Sequence, residues 1–166
     1  FNLDGDISSR QGYGWPACGE IDIMEMIGGT IRTDETNEGN QSNKVVYATP
    51  HFYYANGDAD KDGSYSPYEL GRSIGMDDDF NDEYHIFGIN WSEDRIEWYL
   101  DGEIYSTIEY DQSDARIRAL QACFNKPQYI QMNLATGGNW AKNAGNHLAE
   151  DNTEFAIDWV RYYQNS

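Results

Sequence analysis

The stretch "GEIDIMEMIGG", residues 19–29, places three carboxylates in a run that otherwise has the composition of a buried strand. Side chains two residues apart lie on one face of a β-strand, so Glu20 and Asp22 point the same way. Strict alternation would put Glu25 on the opposite face among isoleucines, where an unpaired carboxylate is costly. A one-residue bulge near Met24 would return Glu25 to the face of the other two acids. The spacing therefore predicts a bulged strand that presents all three acids together.

The rest of the chain has the pattern of antiparallel strands joined by tight turns. Alternating apolar positions bounded by turn residues predict strands at 19–27, 44–54, 84–91, 95–110, 128–136 and 155–164. The clearest hairpin has Asp101 and Gly102 at its turn, and Pro50 indicates a bulge or an edge position. Residues 113–124, "SDARIRALQACF", form the one segment that could be a short helix. The fold class predicted from these elements is all-β, an antiparallel β-sandwich.

The composition suits one domain over residues 1–166 with a sizeable core. Eleven basic residues against 29 acidic ones give a net charge of -18, which argues against nucleic acid or an anionic membrane as a partner. No apolar run approaches the roughly 20 residues of a membrane span. Two cysteines, Cys18 and Cys123, allow at most one bridge, and two thiols are favoured because nothing else suggests a disulfide framework.

Aromatic residues make up 14% of the chain and accompany 16 glycines, a mixture common in all-β domains with aromatic-lined clefts. Trp91, Trp98 and Trp159 lie on alternating apolar faces and are predicted to be core residues. His85 and His147 are predicted to have structural roles.

Three acids on one strand face are suited to the hydrolysis of glycosidic bonds. Two carboxyls about 5–5.5 Å apart are the equipment of a retaining glycosidase. Residues two apart lie roughly 6.5–7 Å apart along a strand, so Glu20 and Glu25 must lean inward over Asp22. Crowded like charges raise the pKa of at least one group and keep it protonated near neutral pH. A calcium site and a solvated polar face are the alternatives, but collinear acids make an awkward cation cage and a polar face does not explain the bulge.

The segment "WPACGEIDIMEMIG", residues 15–28, resembles the active-site strand of glycoside hydrolase family 16, whose motif is Glu-x-Asp-x-x-Glu in its bulged form. The resemblance continues, in the family's order, through residues 82–103, 132–140 and 155–163. It implies a jelly-roll, concanavalin-like sandwich with a concave substrate groove. By the same resemblance Glu20 is the nucleophile, Asp22 hydrogen-bonds the nucleophile and Glu25 is the general acid/base. That chemistry requires no cofactor.

The resemblance also implies a set of substrate-binding residues. Trp15 matches a tryptophan that stacks on a sugar, although a core position is the alternative for it. His51 matches a histidine on the neighbouring strand, for which a structural role is an equal alternative. Asn133 is predicted to be a groove-facing amide, and Trp140 resembles a sugar-binding tryptophan at the cleft edge.

Within the family, the bulged motif preceded by "GWPACG" is most similar to the laminarinases, which cut internal β-1,3 bonds of glucans. The resemblance therefore implies a retaining endo-β-1,3-glucanase with a polysaccharide substrate, secreted because polymeric glucans lie outside the cell. A mixed-linkage β-1,3-1,4-glucanase or a galactanase of the same family is the nearest alternative. A glucan-binding module without catalysis is the alternative from another class.

Calcium is considered at two places on different arguments. Asp158 in "FAIDW" matches a calcium ligand on the convex face of the family's domain. Separately, residues 58–69, "DADKDGSYSPYE", fit a calcium-loop pattern, with ligands predicted at Asp58, Asp60, Asp62 and Glu69. The flanks of this loop are not helical, and an acidic glycine-rich loop needs no metal. On this loop alone, a calcium-dependent structural or adhesion module is a third interpretation.

The family's domain normally has several strands before the catalytic one, whereas 19 residues precede Glu20 here. The N-terminal strands are therefore expected to be missing from this chain. Unpaired strand edges and an open core invite association. A companion chain or a swapped copy that supplies the strands is thus an expected partner, unless the chain is a fragment.

Overall fold

A computed structural model describes residues 16, 18–28, 43–54, 70–135 and 154–164. In chain order these residues form β1 (Glu20–Glu25), β2 (Val45–His51), β3 (Arg72–Gly75), β4 (Phe87–Trp91), β5 (Arg95–Leu100), β6 (Glu103–Glu109) and α1 (Ala115–Phe124). The chain divides into two compact units, Phe1–Gln131 and Met132–Ser166, and all seven elements belong to the first. One domain over residues 1–166 stays a prediction.

The six strands form two antiparallel sheets with the orders β1-β2-β3 and β4-β5-β6. β1 contacts β4 and β3 contacts β6, so the two sheets pack against each other. The prediction of an all-β antiparallel sandwich is confirmed. Among the described residues, no helix has the length and apolarity needed to cross a lipid bilayer.

The core of the first unit lies between the sheets and under α1. On β5 the buried side chains Ile96, Trp98 and Leu100 alternate with half-buried ones, as expected of a strand with one face inward. α1 buries Ile117, Leu120 and Phe124 on one stripe against the same core. Burying a large apolar side chain stabilises the fold by about 1.5–3 kcal/mol. The site described below therefore rests on a packed interior.

The predicted hairpin is present, and its turn has the backbone expected of a type I′ connection. Asp101 and Gly102 have φ values of 51° and 92°, which a two-residue hairpin of this type requires. One carboxylate oxygen of Asp101 accepts a hydrogen bond from the Ile86 N–H at 2.8 Å, and the other lies 2.8 Å from Nδ1 of His85. The buried His85 ring thus joins this turn to the start of β4, a structural role as predicted.

Among the residues that the structure describes, only one strand pairs with β2 at Pro50. Pro50 is opposite Ile21 of β1, while the pairing of β2 with β3 ends at Ala48. A proline has no N–H to donate and is tolerated at such an edge. The predicted edge position of Pro50 is confirmed.

Gly19 directly precedes β1 and lies in close contact with the end of α1. Its φ is 77°, and a Cβ placed on it would lie 2.8 Å from Sγ of Cys123 and 2.9 Å from the Phe124 ring. Glycine adopts this backbone without steric cost and leaves room for the helix. Cys18 and Cys123 form no disulfide, which agrees with the two thiols that the sequence favoured, and burial raises the pKa of the Cys123 thiol to about 11.

Two predicted strands are wrong, and one strand was not predicted. Residues 128–136 and 155–164 were expected to be strands, but apart from a single bridge at Gln128 their described parts, 128–135 and 154–164, form none. Alternating side chains show only that a segment is able to form a strand, whereas a ladder also needs a partner to hydrogen-bond with. Conversely β3 was not predicted, since "RSIG" is short and mostly exposed and lacks apolar alternation.

The tryptophans predicted to be core residues divide into two groups. Trp98 is 0% exposed, which confirms the prediction, but Trp91 is 41% and Trp159 44% exposed. Trp91 lies at the end of β4, where the chain leaves the sandwich. In the second unit, Arg161 stacks on the Trp159 ring at 4.4 Å, a cation–π contact suited to an exposed indole.

Candidate active site

The predicted acids lie on one face of the β1–β2 pair. The register places Glu20 opposite His51, Asp22 opposite Thr49 and Glu25 opposite Tyr47. Directly opposed residues of antiparallel strands carry their side chains on the same face. We call this surface, made by the three acids with Tyr47, Thr49 and His51, the acid face. The acids and His51 are half-buried, and Thr49 is buried.

The bulge that the spacing predicts is present. Between the Asp22–Thr49 and Glu25–Tyr47 pairs, two residues of β1, Ile23 and Met24, lie against one residue of β2. Met24 packs against the core cluster around Val46 and Leu100, so it lies on the inner face. Because the parity is reset there, Glu25 lies on the acid face.

Short contacts join Asp22, Glu25 and His51. Nε2 of His51 lies 3.1 Å from Oδ2 of Asp22, and the Thr49 hydroxyl donates to Oε2 of Glu25 at 3.2 Å. One polar atom from each of Asp22, Glu25 and His51 can be chosen so that all three lie within 4.8 Å of one another. The structure therefore brings two of the predicted acids and the predicted histidine into direct electrostatic contact.

This electrostatic setting gives Glu25 a proton affinity unusual for a carboxylate. Burial raises its pKa from 4.5 to about 7, and the negative charge of Asp22 adds to the increase. The positive charge of His51 and the hydrogen bond from Thr49 oppose this, while Glu20 adds a smaller increase. Near neutral pH, Glu25 thus exchanges readily between an acid and a base, as a general acid/base catalyst must.

His51 is affected in a complementary way. Burial alone would lower its pKa, but the hydrogen bond and charge of Asp22 outweigh burial, and the pKa is raised above 6.5. Glu20 and Glu25 contribute in the same direction. A protonated His51 offsets part of the negative charge that three acids bring to this face.

The donor set of Asp22, Glu25 and His51 resembles a metal site in spacing but not in the ligands that calcium prefers. Calcium takes six to eight oxygen ligands, whereas this group offers two carboxylates and an imidazole. The arrangement instead fits a hydrolytic site, in which neighbouring carboxyls have different surroundings and therefore different pKa values. One carboxyl can then act as an acid while another acts as a base.

One contact to this site was not predicted. The indole Nε1 of Trp98, on β5 of the other sheet, donates a hydrogen bond to the main-chain carbonyl of Asp22 at 2.8 Å. From the sequence, Trp98 was predicted only to be a core residue. A buried indole N–H usually has a hydrogen-bond acceptor. The sequence therefore indicated that Trp98 needs an acceptor, but it did not indicate which group the acceptor is.

The profile of the glycosyl hydrolases family 16 matches residues 7–161 of the chain. The chain belongs to this family. It is 30% identical over 162 residues to glucan endo-1,3-beta-glucosidase A1 of Niallia circulans, a match that covers 92% of this chain and 20% of the relative. It is 33% identical over 129 residues to a glucan endo-1,3-beta-glucosidase of Cryptopygus antarcticus, covering 76% of this chain and 41% of the relative.

A solved structure agrees with these sequence relatives. The endo-beta-1,3-glucanase from Pyrococcus furiosus matches with a TM-score of 0.55 and 31% identity, over 78% of this chain and 42% of that one. The family 16 chain thus spans less than half the length of each of these three relatives.

The remaining predicted site residues of this family 16 chain stay predictions. Asn133 and Asp158 belong to the second unit, where both are exposed. Trp15 and Trp140 lie outside the described residues, as does His147. The predicted calcium loop, with Asp58, Asp60, Asp62 and Glu69, also lies outside them.

Proposed function

We propose that this chain carries the catalytic centre of a retaining endo-glycoside hydrolase that cleaves internal β-1,3 bonds of a laminarin-like β-glucan. The observation that carries the proposal is Glu25, a half-buried carboxyl with a pKa of about 7 on the same strand face as Glu20 and Asp22. The names of the two sequence relatives, both glucan endo-1,3-beta-glucosidases, support the choice of linkage.

In the proposed first step, a Glu20 carboxylate oxygen attacks the anomeric carbon as the bond from that carbon to the glycosidic oxygen breaks. Glu25, protonated near neutral pH, gives its proton to the departing oxygen. The products are a shortened glucan with a free hydroxyl and a glycosyl ester on Glu20.

In the second step, Glu25 acts as a carboxylate and takes a proton from water, whose oxygen attacks the anomeric carbon. The ester bond to Glu20 breaks, and Glu25 regains the proton that the next cycle needs. Two inversions at one carbon leave the β configuration retained.

Asp22 and His51 adjust the proton affinity of Glu25 in opposite directions. The charge of Asp22 raises the pKa of Glu25, and that of His51 lowers it. Burial is the largest cause of the raised pKa of Glu25, and because Asp22 and His51 lie 3.1 Å apart, their charges partly cancel and leave that pKa at about 7. We propose that this balance sets the pH range of activity.

The wider assembly is part of the same proposal. Trp15, Asn133 and Trp140 would line the subsites for glucan, and Asp158 would bind a structural calcium that the chemistry does not need. The acidic loop at 58–69 would bind a second calcium. A companion chain or a swapped copy would supply further strands to the sandwich, and the protein would act outside the cell.

The test is reducing-sugar release from laminarin by the full chain and by Glu20→Gln, Glu25→Gln and Glu103→Gln. We expect losses of about 10²–10⁴-fold or more in the first two variants, since each removes a catalytic group. Glu103 is exposed on β6, so its variant is the matched control and should keep wild-type activity. Binding of laminarin without release by the wild type would refute the proposal in favour of a binding module. Release from mixed-linkage glucan alone would refute the β-1,3 assignment.

The two roles can be separated by adding azide and a substrate with an activated leaving group. In Glu25→Ala, azide should intercept the glycosyl ester and give a β-glycosyl azide. In Glu20→Ala, azide takes the place of the nucleophile and should give the α anomer. Exchanged anomers would show that the two roles are assigned the wrong way round.

A further inference from the structure

We infer that Trp98 is a positioning residue, whose indole N–H holds the β1 bulge and thereby the placement of Asp22 and Glu25 on the acid face. This inference rests on the proposed function, because it assigns Trp98 a part in keeping the catalytic carboxyls in position.

The first observation is the hydrogen bond between the sheets. Trp98 lies on β5, is 0% exposed, and donates from Nε1 to the Asp22 carbonyl at 2.8 Å across 76 residues of sequence. In an interior closed to water, a hydrogen-bond donor or acceptor left unpaired destabilises the fold. The interior therefore favours the backbone position of β1 that lets this bond form.

The second observation is where that carbonyl lies. Asp22 is the last residue in register before the bulge, in which Ile23 and Met24 lie against Ala48. A bulge disrupts the hydrogen-bonded ladder of its strand. The indole thus donates a hydrogen bond to the main chain of β1 at the point where the pairing of β1 with β2 becomes irregular.

A third observation places a second irregularity beside Trp98. On β6, Ser106 is opposite Trp98 and Ile104 is opposite Tyr99, so Tyr105 is the extra residue of a bulge. Tyr105 packs against both core clusters. A bulge in each of the two sheets thus lies beside the buried indole of Trp98. The indole donates a hydrogen bond to the β1 strand next to the first of these bulges.

The consequence concerns the parity of β1. Without the bulge, alternation would turn Glu25 to the inner face, away from Asp22. Weakening the hold on the bulge should therefore move Glu25 relative to Asp22 and Glu20, even though Trp98 touches none of the reacting atoms in the proposed mechanism. Misplacement by about 1 Å can reduce a rate by about 10²-fold.

The test uses Trp98→Phe in the full chain, which removes the N–H and keeps an aromatic ring. We expect kcat on laminarin to fall by about 10- to 100-fold with KM changed by less than about twofold. The pKa of the Glu25 carboxyl, followed by carbon-13 NMR, should change from its wild-type value of about 7, because both the burial of Glu25 and its distance from Asp22 change.

Ile96→Val is the matched control, because Ile96 is fully buried on the same face of β5 two residues away. It should lower the urea midpoint of unfolding slightly and leave kcat and the Glu25 pKa unchanged. Site-specific replacement of Trp98 by benzothienylalanine, which keeps the bicyclic shape without the N–H, serves if the phenylalanine variant does not fold. It should reproduce the fall in kcat and the change in the Glu25 pKa.

The inference is overturned if the variants lacking the N–H keep the Glu25 pKa and kcat of Ile96→Val. Failure of the proposed function would look different, because the wild-type chain would then release no sugar. In that event the Glu25 titration alone decides whether Trp98 holds the bulge.

Discussion

Replacing Glu25 by Gln should change how the stability of the protein depends on pH. The pKa of Glu25 rises from 4.5 in the unfolded chain to about 7 in the fold, so the folded state binds its proton more tightly. Stability from this group is fully present below about pH 4.5 and is lost as pH rises through about 7. Glutamine has no proton to lose, and its amide oxygen can still accept from Thr49.

The size of the effect follows from the shift. About 2.5 pH units at roughly 1.36 kcal/mol each give about 3 kcal/mol, an order-of-magnitude figure for a half-buried group. Part of this change in the free energy of unfolding occurs below about pH 5. The change between about pH 5 and pH 8.5 is therefore about 2–3 kcal/mol. The free energy of unfolding of Glu25→Gln, minus that of the wild type, should therefore increase by that amount over this range.

Urea unfolding of both proteins at several pH values, followed by tryptophan fluorescence, measures this difference. Subtraction removes the titration of other groups to first order. Glu103→Gln on exposed β6 is the control, and its difference from the wild type should be flat with pH. A flat difference for Glu25→Gln, within about 0.5 kcal/mol, would refute the assignment of the raised pKa to Glu25.

Further predictions concern the charges around Glu25 and the packing below β1. His51→Ala removes a charge that lowers the pKa of Glu25 and should raise it above about 7, whereas Asp22→Asn should lower it. Carbon-13 NMR of the Glu25 carboxyl measures both, and shifts in the same direction would contradict the electrostatic account. Gly19→Ala should cost about 3 kcal/mol or more in urea unfolding, since φ is 77° and the new Cβ would collide with α1. Gly102→Ala, with φ of 92° and open space around it, should cost only about 1 kcal/mol, and equal losses would show that α1 moves aside.

The features predicted correctly from the sequence depend on few neighbours in the chain. The bulge follows from the parity of Glu20, Asp22 and Glu25, because alternation along a strand is a local property. The turn at Asp101 and Gly102 is local for the same reason, since these residues adopt the positive φ values of the hairpin. The backbone conformation of such segments is therefore determined mainly by their own residues.

The features that were predicted wrongly depend on distant partners. The apolar alternation at 128–136 and 155–164 is real, yet a strand forms only where another strand completes its ladder. β3 is short and exposed and is a strand because β2 pairs with it. The exposure of Trp91 likewise depends on where β4 leaves the sandwich, which alternation cannot indicate.

The spacing of the three acids is enough to place them on one strand face, and their crowding implies that at least one of them has a raised pKa. That this acid is Glu25 depends on the fold, because burial and the distances to Asp22 and His51 are set by the packing of β1 on β2. The hydrogen bond from Trp98 to the bulge is also tertiary, since it joins two sheets that meet only in the folded core. Residue types and their spacing thus specify the chemical groups of the site, while desolvation and contacts between distant segments set their proton affinities and positions.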